Sequence, residues 1–137
     1  MAKWLVKSEP SSWSFAQQIE AGKAGTSWNG VRNHTAKQYL MAMAMGDEAF
    51  FYHSNDGKEI VGIVAVSRTY YPDPTDAKGK FGMVDFSVVR PLDKPVTLDA
   101  IKKEAALQDM VLVKNSRLSV QPVTEAEWDT VLRMAAA

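Results

Sequence analysis

Trp4-Leu5-Val6 is an apolar stretch bounded by Lys3 and Lys7. It predicts a short strand that stops before Pro10, because proline has no N–H to continue a ladder. Ser14 followed by Gln17 is a capping-box pattern, and Phe15, Ala16 and Ile19 then recur at helical spacing up to Gly22. Gly25 to Gly30 reads as a loop. Asn33 is placed to cap a second helix, with Ala36, Leu40 and Met43 as its apolar positions and Gly46 as its stop. From Ala49 the period changes. Phe50 to His53 and Ile60 to Val66 flank Asn55-Asp56-Gly57-Lys58, a hairpin signal because Asn, Asp and Gly tolerate positive φ.

A Pro- and Asp-rich loop, Pro72 to Gly79, leads to Met83–Val89, where Val84, Phe86 and Val88 alternate with Asp85 and Ser87. Thr97 should cap a short helix through Glu104, Leu107 to Val113 fits either element, and Ser119–Val123 reads as a last strand. Thr124 with Glu127 forms a second capping box, opening a C-terminal helix that buries Trp128 and Leu132. About five strands and four or five short helices without a βαβ rhythm predict an α+β chain. The expected form is a small, mostly antiparallel barrel or curled sheet with helices at its ends. The Met41, Met43, Met45 cluster is expected to be soft core packing.

Length and composition narrow the function classes. The 137 residues suit one domain, expected to span 1–137, and 46% hydrophobic with 23% charged residues is the balance of a globular protein. Sixteen basic and sixteen acidic residues cancel. The halves split at position 68 carry seven basic with six acidic residues, then nine with ten. No basic arm is present to wrap a phosphate backbone, so a nucleic-acid partner would have to be gripped by a local site. The absence of cysteine excludes disulfides and thiolate chemistry, and two histidines are too few to suggest a metal site. The longest apolar run, Tyr39 to Met45, is far short of the ~20 residues of a membrane span. A cytoplasmic protein without membrane, metal or cofactor, and monomeric, is expected.

Four clusters could carry chemistry. Lys7-Ser8-Glu9-Pro10 ends the first strand and, by itself, suits a solvated turn. Ser27-Trp28-Asn29-Gly30-Val31-Arg32-Asn33 sets an aromatic among polar or small neighbours, beside a cation and two amides, as a flat π-ligand would need; a surface-packed tryptophan fits it equally. Phe51-Tyr52-His53-Ser54-Asn55 ends a strand in hydrogen-bonding groups. Arg117-Leu118-Ser119-Val120-Gln121-Pro122 alternates polar with apolar, and Arg117 suits a surface ion pair or an anion clamp. No G-x-S-x-G, P-loop or G-x-G-x-x-G motif occurs, and no catalytic nucleophile stands out.

Together, Trp4-Leu5-Val6-Lys7-Ser8-Glu9-Pro10, Trp28-Asn29-Gly30-Val31-Arg32-Asn33, Phe51-Tyr52-His53-Ser54 and Arg117-Leu118-Ser119-Val120-Gln121-Pro122-Val123 resemble, in order and spacing, the EVE domain family, here in its small stand-alone bacterial form. The resemblance covers about residues 3 to 133. It implies a PUA-like fold, kinship with the YTH readers of methylated adenosine, and non-catalytic binding of a modified nucleobase turned out of DNA or RNA, modified cytosine in DNA above all. On that basis Trp28 is the stacking platform. Ser8, Asn33, Tyr52, His53, Ser54 and Ser119 line the pocket, and Lys7, Arg32 and Arg117 contact phosphate or base edges. Tyr70, Tyr71 and Trp13 are the residues available as further cage aromatics. Two competing readings remain: a metal-free ribonuclease using His53, His34, Lys7 and Glu9 as acid–base groups, and a pocket for a free nucleotide or nucleoside.

Overall fold

The computed structural model describes residues 2–136 and places the predicted segments in one six-stranded sheet with helices on both faces. Strand β1, Lys3–Ser8, pairs parallel to β3, Glu48–His53, and antiparallel to β6, Val120–Val123. The adjacent strands β4, Glu59–Pro72, and β5, Gly82–Thr97, complete the ladder with a two-residue strand β2, Thr26–Ser27. The order is β2-β5-β4-β3-β1-β6. The sheet is open, so this is an α+β fold with a mostly antiparallel sheet and not the expected closed barrel.

Capping chemistry sets the helix limits much as the sequence predicts. Helix α1, Phe15–Ala21, carries both bonds of the capping box between Ser14 and Gln17, and Gly22 ends it at φ 54°. Asn33 caps α2, His34–Ala42, by accepting from the Ala36 N–H, and Thr97 does the same from Ala100 for α3, Leu98–Lys103. The ambiguous stretch after it is a 3₁₀ turn, Ala105–Leu107, followed by α4, Val111–Lys114. Thr124 and Glu127 exchange bonds at the start of α5, Glu125–Ala136.

Several expectations need correcting. The buried positions of α1 are Phe15 and Gln18, whereas Ile19 is exposed. Of the methionine cluster only Met43, the C-cap of α2, is buried; Met41, in the last turn of the helix, and Met45, beyond its end, are exposed. The Gly25–Gly30 loop contains β2, which the two-residue length hides from any periodicity. Strand β5 runs on through Pro91 and Pro95, since β2 pairs only with Asp85 and Phe86 and leaves the rest of that side an edge.

The parallel pair explains the apolar run Phe50-Phe51-Tyr52. Both faces of β1 and β3 are covered, so successive side chains enter different cores. Trp4, Val6, Phe51, Trp28 and Phe86 belong to one; Leu5, Phe50, Tyr52, Leu112 and Trp128 belong to the other. In the second, Phe50 stacks on Trp128 at 3.8 Å between centroids. In the first, Phe15 lies over Gly62, where an added Cβ would come within 2.0 Å of the ring. Gly62→Ala should therefore lower stability by at least ~1–3 kcal/mol. Chemical denaturation checks this, and adding Phe15→Leu should recover part of the loss.

Candidate nucleobase cleft

Because β1 and β3 run parallel, their C-terminal ends lie together, and the Ser54 N–H donates to the Ser8 carbonyl at 3.0 Å to extend the pairing. On the face of the first core, a cleft of about 410 Å³ opens there. Lys7, Ser8 and Glu9 form one wall. Trp13 and Ser12 come from the turn before α1, and Thr26 to Asn29, including Trp28, complete it. The lining thus offers two indoles, four hydroxyls, an amide and one charge of each sign. Such a set suits the ring and polar edge of a flat heterocycle better than a phosphate.

Each tryptophan is fixed by a separate device. Trp28 is 8% exposed, meets Phe51 and Phe86 edge-on at 5.6 and 5.3 Å, and donates its backbone N–H to Val84. It is therefore part of the hydrophobic core as well as of the cleft. The Trp13 indole N–H donates to Gln18 Oε1 at 2.9 Å, and its carbonyl accepts from the Ser8 hydroxyl at 2.6 Å. Gln18 is fully buried, and its amide donates to the Phe86 carbonyl, so one side chain ties Trp13 to the strand that backs Trp28.

The loop after Trp28 is held by a buried carboxylate. Asp73 Oδ2 accepts from the Gly30 N–H and from Arg32 Nη1, while Oδ1 accepts from the Thr75 N–H and hydroxyl. Burial alone would raise its pKa. The hydrogen bonds from Thr75, Gly30 and Arg32 outweigh that and bring it to about 2.

The sequence-predicted site residues divide among several places. Lys7, Ser8 and Trp28 share the cleft with Trp13. Tyr52 and Ser54 line a second pocket with Lys7, on the other face of the sheet, and burial raises the Tyr52 pKa. Asn33 caps α2 and shares a small hollow with Arg117, while Arg32 is engaged by Asp73. Ser119 gives its carbonyl to the Lys7 N–H. His53 Nε2 accepts from the Phe15 N–H at 3.1 Å, which fixes the ring as an anchor for α1. Burial lowers its pKa against the opposing pull of Glu59. His34 rests instead against Phe81. Tyr71 is occupied by Arg68 over its ring and Asp85 at its hydroxyl, and Tyr70 packs over Gly82. Ser12 and Thr26 lie outside the four sequence clusters, because a turn and a two-residue strand carry no readable alternation. Among the described residues no group of His, Asp and Glu is arranged to hold a metal, and no helix is long and apolar enough to cross a membrane.

Two outcomes follow from these anchors. Gln18→Leu should cost about 1–3 kcal/mol in chemical denaturation, since it leaves the Phe86 carbonyl and Trp13 N–H without partners. For Asp73 the folded pKa lies below the unfolded 3.8. Its contribution is thus complete above that value and is lost as pH falls through about 2. Thermal midpoints measured from pH 5 to pH 2 should fall more steeply for the wild type than for Asp73→Asn, which begins lower.

Known proteins share the sequence pattern and the fold. The sequence model of the EVE domain matches residues 2–134. Human thymocyte nuclear protein 1 is 34% identical over 96% of this chain and 72% of its own. The solved structure of Rpa0253 from Rhodopseudomonas palustris superposes with a TM-score of 0.94 at 60% identity, covering 99% of this chain and 94% of that one. Human THYN1, solved in complex with 5-methylcytosine containing DNA, gives 0.92 at 32% identity, covering 100% and 99%. The YTH domain of Zygosaccharomyces rouxii MRB1 shares the fold alone, at 0.58 and 16% identity over 98% of this chain and 86% of that one. With its motifs, its fold and nearly all of its length matched, this chain belongs to the EVE domain family.

Proposed function

We propose that the protein is a non-catalytic reader of a modified nucleobase, with modified cytosine in DNA as the first ligand and a modified base in RNA as the second. The observation that carries this reading is the cleft at the end of the parallel strand pair, with Trp13 and Trp28 among hydroxyl and amide groups. The human relative solved with 5-methylcytosine containing DNA supports the choice of ligand.

The energies suit a reader that needs its mark. Stacking on an aromatic contributes about 1–3 kcal/mol, while extruding a paired base costs a few kcal/mol. The balance must come from hydrogen bonds along the base edge, for which Ser8, Ser12, Thr26, Ser27 and Asn29 are available. A buried methyl adds only ~0.8 kcal/mol, about a fourfold preference, so sharper discrimination requires a fitted pocket. Against a ribonuclease stands the engagement of His53 Nε2 by the Phe15 N–H, which leaves that nitrogen no lone pair for proton abstraction.

The test is fluorescence anisotropy at fixed low salt. Oligonucleotides carry plain, methyl- and hydroxymethyl-cytosine in DNA, with plain and methyladenosine-containing RNA beside them. Trp28→Ala is unsuitable as the diagnostic variant, because truncating this core residue should cost ~3–5 kcal/mol of stability. Trp13→Ala, at a half-buried position, and the gentler Trp28→Phe replace it. A preference for one mark is expected, at least fourfold and lost in Trp13→Ala. Equal binding of all oligonucleotides, or no change in either variant, would sink the reading.

A further inference from the structure

The second pocket lies at the same end of the sheet but on its opposite face. Lys7 is common to both, while Tyr52 and Leu112 assign the second to the other core. It measures about 260 Å³ and brings together three lysines far apart in sequence, Lys7, Lys58 and Lys102. Their meeting has a structural cause. The hairpin turn docks on α3 through the Leu98 N–H, which donates to the Lys58 carbonyl at 2.9 Å. That bond sets Lys58 beside the helix that carries Lys102.

Among the described residues, none of the three lysines forms a salt bridge, and Asp99, in the adjoining groove, pairs with neither Lys58 nor Lys102. The Lys7 ammonium is half-buried over the Tyr52 ring, 5.8 Å from its centroid. The Lys7 ammonium donates to the Ser116 carbonyl at 2.7 Å, which leaves further N–H donors for a ligand. Burial lowers its pKa, so a bound anion would stabilise its charged form. The Ser54 and Ser116 hydroxyls add neutral donors to the rim.

We propose that the pocket of Lys7, Lys58 and Lys102 binds a phosphate group, supplied by the backbone of the same strand whose base enters the tryptophan cleft. Compact ammonium groups with hydroxyl donors suit a tetrahedral phosphate, whereas the aromatic cleft, with balanced charge, suits the base. Lys7, at the strand end between the two, would connect them. The naming of the strand as owner rests on the base-reader proposal; the phosphate chemistry of the pocket does not.

The test measures binding of a labelled 5-methylcytosine oligonucleotide and its plain counterpart across a salt series. The variants are the exposed pair Lys58→Gln with Lys102→Gln, and a charge-matched control, Lys23→Gln with Lys78→Gln. Thermal midpoints establish that all are folded. The pocket variant should bind severalfold more weakly, with the slope of log K against log salt reduced by about one, as expected for one lost phosphate contact. Its ratio of marked to plain binding should stay that of the wild type. A slope and affinity changed no more than in the control would overturn the proposal.

A second arm titrates inorganic phosphate into the protein alone and follows the amide resonances of Ser54, Asn55 and Ser116. Shifts there, joined to an unchanged salt slope, would make the ligand a free phosphate and overturn the role of the strand. If Trp13→Ala leaves mark preference intact while the lysine pair alters the slope, base reading fails and the phosphate pocket stands.

Discussion

The parallel pairing of β1 with β3 is the constraint on which the rest depends. A parallel pair requires a crossover, and here the crossover is α1, β2 and α2, whose two helices pack over one face of the sheet. Helices α3, α4 and α5 cover the other, so β3 is buried on both faces from Ala49 to Tyr52. The same pairing brings Lys7-Ser8 beside Tyr52-His53-Ser54. Polar strand ends that would otherwise be two unrelated turns become one edge with a pocket on each face.

Buried polar groups then hold what the apolar cores leave free. Gln18 joins Trp13 to the Phe86 backbone, Asp73 clasps the segment from Gly30 to Arg32, and His53 accepts the Phe15 N–H. Asp47 does the same for the other tryptophan of this core, accepting from the Trp4 indole and the Ala44 N–H. Gln18, Asp73 and Asp47 each satisfy two or more groups, and His53 one, that loops and helix starts would otherwise bury unpaired. Rigid loops matter for a cleft meant to recognise a flat ring, because a ligand then need not supply the cost of ordering them. One buried side-chain polar atom among the described residues has no partner, Gln121 Oε1 on β6; the amide nitrogen of that residue donates to the Leu118 carbonyl.

Much of this was legible along the chain, and the reason is local. Capping boxes at Ser14/Gln17 and Thr124/Glu127, the Asn33 and Thr97 caps and the Asn-Asp-Gly-Lys turn are hydrogen-bond patterns among near neighbours. They set α1, α2, α3, α5 and the β3–β4 hairpin close to where they were expected. The strand β1 and the alternation from Val84 to Val88 were legible for the same reason. What failed was non-local. The two-residue β2 exists only because β5 offers it partners, and β5 passes two prolines only because its outer side is an edge.

The site divides in the same way. By itself the sequence determined which residues have the chemistry: a tryptophan among small and polar neighbours, strand ends rich in hydroxyls, and lysines without a global field. Tertiary structure alone decided which of them meet. It set Trp13 with Trp28, turned His53 into an anchor and committed Arg32 to Asp73. It also separated Tyr52 and Ser54 from the cleft by one residue of strand alternation, which sends neighbouring side chains to opposite faces. Lys7, Lys58 and Lys102 are brought together only by the parallel pair and the docked hairpin, a juxtaposition that no spacing along the chain encodes.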